Sequence, residues 1–396
     1  MMKNLWIYLF VFALSFSTEA QIFIDSTINS STKKIIYNTA GKFSLGSYGE
    51  AHLNAPIESG KAQNAKADLH RVILFMGYKF NKNLQFFSEI EFEHVQEVYV
   101  EQAYLNYSVN SAINFKTGVI LIPMGYVNEF HEPTLFNGVE RPIIDKTIIP
   151  ATWRELGFGM HGLAKRANIK YQLYVVNGFK GYDGNATISG SGGLRGARQK
   201  ATKTTVRKPS FTGKVTFYGI GGLHLSLSGY YGQTESSLYS SVSLDDQMAV
   251  ARADSSILGV GMAAVNIEYK IQNFKLRAQG VLTSLSNTDQ YNTFTNSAVA
   301  DQIMGYYSEL GYDLRLKKGK NFPKLIPFVR YENFDTHFKV GSQLNRNEEY
   351  NREILTGGLG FQLTAGTIFK ADYQWIKTTL NPKPTGMFNV GFGFWF

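Results

Sequence analysis

The densest run of side chains able to do chemistry lies between residues 178 and 210. It holds Lys180, Arg195, Arg198, Lys200, Lys203, Arg207 and Lys208, with Asp183 as its only acid. A second candidate lies over 123–153, where Arg141 and Lys146 precede Arg154. A guanidinium bonds two oxygens at once and suits oxyanions, whereas an ammonium acts as a point charge. The second stretch also carries Glu129, Glu132, Glu140 and Asp145, so its field is mixed. The chemistry on offer is attraction of small anions rather than bond making. Nucleophile-elbow, His-Glu-x-x-His and phosphate-loop patterns do not occur in the sequence. His224 and Ser226 share a strand face without an identifiable third partner. His94 with Glu97, and His131 with Glu132, are too sparse for a metal site. The expectation is a protein that is not an enzyme and that has no catalytic residue, metal or cofactor.

Composition narrows the scaffold that must hold these residues. The 396 residues include no cysteine, which excludes a disulfide scaffold, thiolate metal ligation and thiol catalysis. Charged residues are 18% and aromatics 14%, the reverse of a disordered chain. The formal charge is +9, yet no compact basic domain or helix accompanies it, so nucleic acid is not an expected partner. At the N-terminus, Lys3 precedes an apolar run from Leu5 to Phe16 and a small residue at Ala20. That layout predicts a signal peptide over 1–20, because the run is short of the ~20 residues a spanning helix needs. Residues 21–42 read as a lead-in and 43–396 as one domain.

Beyond residue 40 the hydrophobic period is two. In the last strand Phe388, Val390, Phe392, Phe394 and Phe396 share a face, opposite Asn389, Gly391 and Gly393. Similar alternation gives sixteen candidate strands, among them 43–52, 68–80, 98–108, 154–164 and 387–396. Their length suits a bilayer, aromatic residues gather near their ends, and charges avoid the apolar face. Short links alternate with long ones, notably 123–153 and 178–210, as in an even-stranded outer-membrane barrel. The fold class is therefore all-β: a transmembrane antiparallel β-barrel of about sixteen strands. A barrel of that size is expected to enclose an aqueous channel. Parity turns ten basic residues inward, including Arg71, Lys116, Lys214, Arg277, Arg330 and Lys370. Seven acids face them, including Glu89, Glu91, Glu309, Glu332 and Asp372. Charge rings of one sign select ions, so this modest bias leaves selectivity open.

Several segments carry a family resemblance. They are Asp68-Leu-His-Arg71, Ser88 to His94, Val100 to Tyr104, Gly118 to Pro123, Gly138 to Pro142, Ile148 to Glu155 and Gly193 to Lys200. Together they resemble outer-membrane porins of the phosphate-selective porin O and P type, in its general-porin branch. The resemblance implies a sixteen-stranded barrel, often a homotrimer, that passes anions through a basic constriction. The lumenal acids depart from the regular arginine ladder of strict phosphate channels.

The expected function is a water-filled outer-membrane channel for small hydrophilic solutes, with anion or phosphate preference as the finer question. Arg141, Lys146 and Arg154 are the expected constriction. Arg195, Arg198, Lys200 and Lys203 are the expected entrance. Arg71, Lys116, Glu89, Glu91 and Arg277 are the expected pore lining. Outer-membrane lipid is the expected surround. The alternative is a closed barrel that serves a surface or secretion complex as a structural or binding partner.

Overall fold

The computed structural model describes residues 41–58, 60–243 and 245–396. The expected signal peptide and nearly all of the lead-in lie outside them. Sixteen strands close into one antiparallel barrel. They are β1 (Phe43–Glu58), β2 (Lys66–Lys79), β3 (Leu84–Glu93), β4 (Glu97–Ser108), β5 (Asn114–Leu121), β6 (Arg154–Ala164), β7 (Ile169–Val176) and β8 (Ser210–Ile220). There follow β9 (Leu223–Gln233), β10 (Gly259–Ile271), β11 (Phe274–Ser286), β12 (Gln302–Tyr312), β13 (Lys324–Lys339), β14 (Asn351–Thr364), β15 (Thr367–Thr378) and β16 (Thr385–Trp395). Each strand pairs with its sequence neighbours, and β16 pairs with β1 from Tyr48↔Trp395 to Ile57↔Gly386. The last residue completes the seam: Phe396 N donates to Ser47 O at 2.9 Å, and Ser47 N donates to Phe396 O at 3.0 Å. Closure leaves no sheet edge, which a bilayer requires because it offers no water to unpaired peptide groups.

The period-two pattern sorts the side chains as expected. Phe388, Val390 and Phe392 are exposed on the outer surface, while Asn389 is fully buried inside. Leu156, Phe158, Leu173 and Phe211 continue the outward apolar belt around the wall. Seven links, such as 365–366 between β14 and β15, lie at one end together with the start of β1 and the end of β16. The long connections lie at the other, with the three-residue β3–β4 turn among them.

The wall's register shifts at five places, and two of these β-bulges lie beside the inward-facing residues that matter below. The β1–β2 register passes from Glu50↔Arg71 to His52↔Asp68, so β2 has one extra residue. The β3–β4 register passes from Glu89↔Gln102 to Ile90↔Val100, so β4 has one too. An extra residue lets two successive side chains face one side and shifts the parity beyond it.

The interior is narrowed by a loop that packs against the inner wall. The connection from β5 to β6 turns inward, and residues 122–133 are all buried. Ile122, Met124, Ile144, Ile148, Ile149 and Trp153 form an apolar core with wall residues Tyr48, Ile73, Phe75, Tyr174, Tyr230, Tyr307 and Phe334. The wall thus supplies large apolar groups on its inner face, where small or polar residues were expected. A short helix, α1 (Ile144–Thr147), lies on this loop.

Candidate functional site

The inward loop is closed at its neck by one side chain. Asn128 Nδ2 donates to Ile122 O at 2.7 Å and to Trp153 O at 3.1 Å, and its Oδ1 accepts from Trp153 N at 2.7 Å. Trp153 stacks on Phe179 with ring centres 4.4 Å apart and tilts against Tyr230 at 4.8 Å. From the neck the loop crosses the lumen, where its peptide groups are cut off from water and need partners. Five basic side chains on five strands supply donors. Arg71 on β2 donates to His131 O. Lys214 on β8 donates to Gly125 O at 2.7 Å, and Arg277 on β11 to Leu135 O at 2.9 Å. Arg330 on β13 donates to Asn137 O at 3.3 Å and Glu140 O at 3.2 Å. Lys370 on β15 donates to Phe136 O at 2.9 Å. Acids take the amides: Val139 N donates to Asp372 Oδ2 at 2.6 Å, and Ile143 N to Glu332 Oε2 at 2.7 Å.

This network corrects the expected pore lining. Arg71 is 1% exposed and ion-paired to Glu50 at 2.7 Å. Arg277 is 3% exposed, pairs with Glu268 at 3.2 Å and lies 4.0 Å from the centre of the Tyr126 ring. Glu89 is buried and accepts from Gln102 Nε2 at 2.7 Å. The strand parity of all three is right, but the loop covers them. Lys116 stays half-buried inside the barrel, its ammonium 4.3 Å from the Tyr104 ring centre. Glu91 is largely buried yet reaches the outer cavity described below.

The expected entrance group is also divided. Arg198 does not face open solvent: its Nη1 donates to Ala151 O at 3.0 Å and Thr152 O at 3.3 Å, and its Nε to Arg195 O at 3.1 Å. It fastens the basic 178–210 loop over the exit of the inward loop. Arg154 is 3% exposed and packs 5.5 Å from the Tyr99 ring centre, beside Lys200 at 5.2 Å from the same ring. Arg154 therefore stands apart from Arg141 and Lys146. Lys203 is exposed on the loop surface. Arg195 donates to Ala151 O at 2.7 Å and turns toward the two residues expected at the constriction.

Arg141, Lys146 and Arg195 meet at a cavity of about 340 Å³ at the long-loop end. Its opposite wall carries Glu50, His52, His70, Glu91 and Glu93 from β1, β2 and β3. Most of the acids near the loop are already matched. Glu50 faces Arg71, with Arg141 3.7 Å away. Burial pushes the Glu140 carboxyl up, but His52, 3.2 Å away, outweighs it and holds the group at about 2. Burial pushes Asp145 up to about 7, against the opposing hydrogen bond from Gln279. Lys146 is exposed and has no ion pair among the described residues. On the other side of the loop, a narrower cavity of about 40 Å³ is lined by Lys170, Lys214, His224, Glu268 and Tyr126. Ser226 shares a hydrogen bond with Thr216 there at 2.9 Å, and His224 lies 3.9 Å from Glu268. The two do not form a nucleophile–base pair.

The fold also assembles a group that sequence spacing keeps apart. Asp68 and His70 on β2 meet His94 from the β3–β4 turn, each offering one ligand atom within 4.8 Å of the others. The bulge on β2 explains the omission. Simple alternation places His70 opposite Arg71, facing lipid, but both turn inward, and His70 stacks on His52 at 4.9 Å.

No family model matches the chain. A protein of uncharacterised function from Aquifex aeolicus is 29% identical over 357 residues, covering 85% of this chain and 76% of that one. Solved structures match at the level of fold. The outer membrane channel DcaP of Acinetobacter baumannii has a TM-score of 0.57 at 13% identity, over 89% of this chain and 97% of its own. Salmonella typhi OmpF, in complex with daunomycin, has a TM-score of 0.56 at 12% identity, over 90% and 98%. The anion-selective porin from Comamonas acidovorans has a TM-score of 0.55 at 11% identity, over 89% and 99%. The comparisons reach the porin architecture and not the phosphate-selective type. This chain has the sixteen-stranded fold of an outer-membrane porin, with its inward loop bonded around the barrel wall.

Proposed function

We propose that the protein is an outer-membrane channel for passive diffusion of small hydrophilic solutes, weakly preferring anions. Export by the 1–20 segment and assembly as a homotrimer are part of this proposal. The porin fold supports the channel. The anion preference rests on one observation: Lys146 stands exposed and unpaired among the described residues on the loop side of the outer cavity, while Glu50 and Glu140 nearby already face Arg71 and His52. Glu91 and Glu93 on the opposite wall keep the preference weak. Lys146 and Arg195 then draw anions toward the loop, and Arg141 offers a planar fork for an oxyanion. Exposed charges act over a Debye length of about 8 Å at physiological salt, so the preference weakens as salt rises.

The test is the reversal potential of reconstituted protein across a potassium chloride gradient, repeated with phosphate. The expected result is a modest chloride preference that Lys146→Ala and Arg141→Ala reduce. Cation selectivity would overturn the anion preference. Reduction of chloride current by millimolar phosphate would support the phosphate-selective type, and its absence would favour a general pore. A second reading, a closed barrel that binds a surface or secretion partner, is favoured by the burial of the whole 122–133 segment. Absence of conductance from correctly folded protein would establish that reading over the first.

A further inference from the structure

We infer that the outer rim of the barrel carries a binding site for a divalent first-row transition-metal ion, formed by Asp68, His70 and His94. Three features carry the inference. The first is the donor set: two imidazoles and a carboxylate suit zinc and its neighbours, and differ from the all-oxygen sets that calcium and magnesium take. The second is geometry. Zinc–nitrogen and zinc–oxygen bonds of about 2.0–2.2 Å place tetrahedral ligand atoms about 3.4 Å apart. His70 Nδ1 is 3.5 Å from Asp68 Oδ2, already at that spacing. His94 Nδ1 is 2.5 Å from the same oxygen, so a rotation of the partly exposed His94 ring by about 1 Å admits the ion. The third is support behind the ligands. Glu93 Oε1 lies 3.8 Å from His94 Nε2, the nitrogen a metal bound at Nδ1 would leave free; this is ion-pair distance, which the same ring rotation has to shorten to reach a hydrogen bond. A carboxylate behind a ligating histidine orients the ring and raises its basicity.

The backbone also holds unusual conformations to make this arrangement. His94 and Val95 occupy positive φ of 52° and 66° in the tight β3–β4 turn, the second a β-branched residue for which that region is unfavourable. The β2 bulge turns His70 inward. Three protein ligands leave a coordination position for water or for a ligating solute. His70 and Glu93 line the outer cavity, so that open position adjoins the solute route proposed above. The site does not depend on whether the barrel conducts.

The test uses untagged, full-length protein folded in detergent, with Zn²⁺ in calorimetry and Cu²⁺ in electron paramagnetic resonance. The expected result is one saturable Zn²⁺ per chain and a Cu²⁺ spectrum with nitrogen coupling from two imidazoles. His70→Ala and His94→Ala each weaken Zn²⁺ binding by at least tenfold, and Glu93→Gln by about tenfold. His224→Ala, at the far end of the barrel, leaves it unchanged. His94 sits in a partly exposed turn, so its variant keeps the barrel fold, checked by circular dichroism. No saturable binding below about 100 μM Zn²⁺ would overturn the site, as would equal binding by the His94→Ala protein.

Discussion

Lys370 separates two accounts of the lumenal charges. If the basic residues select solutes, Lys370→Met lowers the chloride-to-potassium permeability ratio. If they hold the loop, the same change loosens residues near Phe136 and leaves the ratio nearly intact. The structure favours the second outcome. Lys370 is 5% exposed, its Nζ donates to Phe136 O at 2.9 Å, and it sits 3.8 Å from the Phe136 ring centre. Methionine keeps most of the packing but removes the donor and the charge. A hydrogen bond from a charged donor contributes about 1.5–3 kcal/mol, and a buried cation–π contact up to about 2 kcal/mol. Retained packing and relaxation offset part of this, so about 2 kcal/mol is the expected loss. At about 1.4 kcal/mol per factor of ten, the population with this part of the loop detached rises about 30-fold.

Hydrogen exchange read by mass spectrometry measures that population directly. The Val139 amide is the reporter, because it donates to Asp372 Oδ2 two residues along β15 from Lys370. Its peptide should exchange about 30-fold faster in the variant, while peptides from β9 to β11 stay unchanged. An exchange rate within threefold of wild type, together with a lower chloride-to-potassium ratio, would refute the anchoring account.

Three further expectations follow from the same contacts. Arg198→Ala should leave ion selectivity unchanged, because the guanidinium is spent on Ala151 O and Thr152 O, and should speed limited proteolysis of the 178–210 loop. Asn128→Leu should open the neck of the loop at a cost of about 2–4 kcal/mol, since it strands three backbone groups at a fully buried position; a loss of Trp153 fluorescence order would report it. The Asp145 carboxyl has its value raised by burial to about 7, so the folded loop favours its protonated form. Its stabilisation is complete below the ordinary value near 4 and is lost progressively as pH rises from there to about 7, by roughly 4 kcal/mol at most; Asp145→Asn should flatten that dependence in exchange measured between pH 4 and 7.

Much of the wall was legible in the sequence. Strand β6 falls on the expected 154–164, and the other fifteen lie within a few residues of their expected bounds or extend beyond them. A lipid-facing strand repeats a strict constraint at every second residue, and that signal accumulates along the chain. The lumen was less legible because an inward position records only that a residue avoids lipid. Arg71, Arg277 and Lys370 have the period of pore-lining residues, and nothing local distinguishes a cation facing water from one facing a carbonyl. The distinction comes from the 122–153 loop, whose path is fixed by partners 60 to 234 residues away. One clue was present: Tyr48, Ile73 and Phe75 are apolar at inward positions, which a water-filled lumen does not explain. The separation of Arg154 from Arg141 has the same origin, since chain proximity at a loop's exit says little about where its middle lies.

The bulges on β2 and β4 show why the functional chemistry and the readable pattern part company. Lipid enforces alternation and thereby makes the barrel recognisable. A feature that needs two adjacent side chains on one side must break it. On β2 the break turns His70 inward beside Arg71, so one strand serves the outer rim with one residue and anchors the loop with the next. On β4 the break places Glu101 beside Gln102 beneath the loop, where Glu101 lies 3.3 Å from His131 Nε2 and Gln102 donates to Glu89. Each bulge thus sits where the wall meets two neighbours at once. Restoring strict alternation, by deleting Leu69 for instance, would return one of the two side chains to the lipid face. The rim cluster and the Arg71 anchor cannot both survive such a deletion, whereas the hydrogen-bonded wall on either side can.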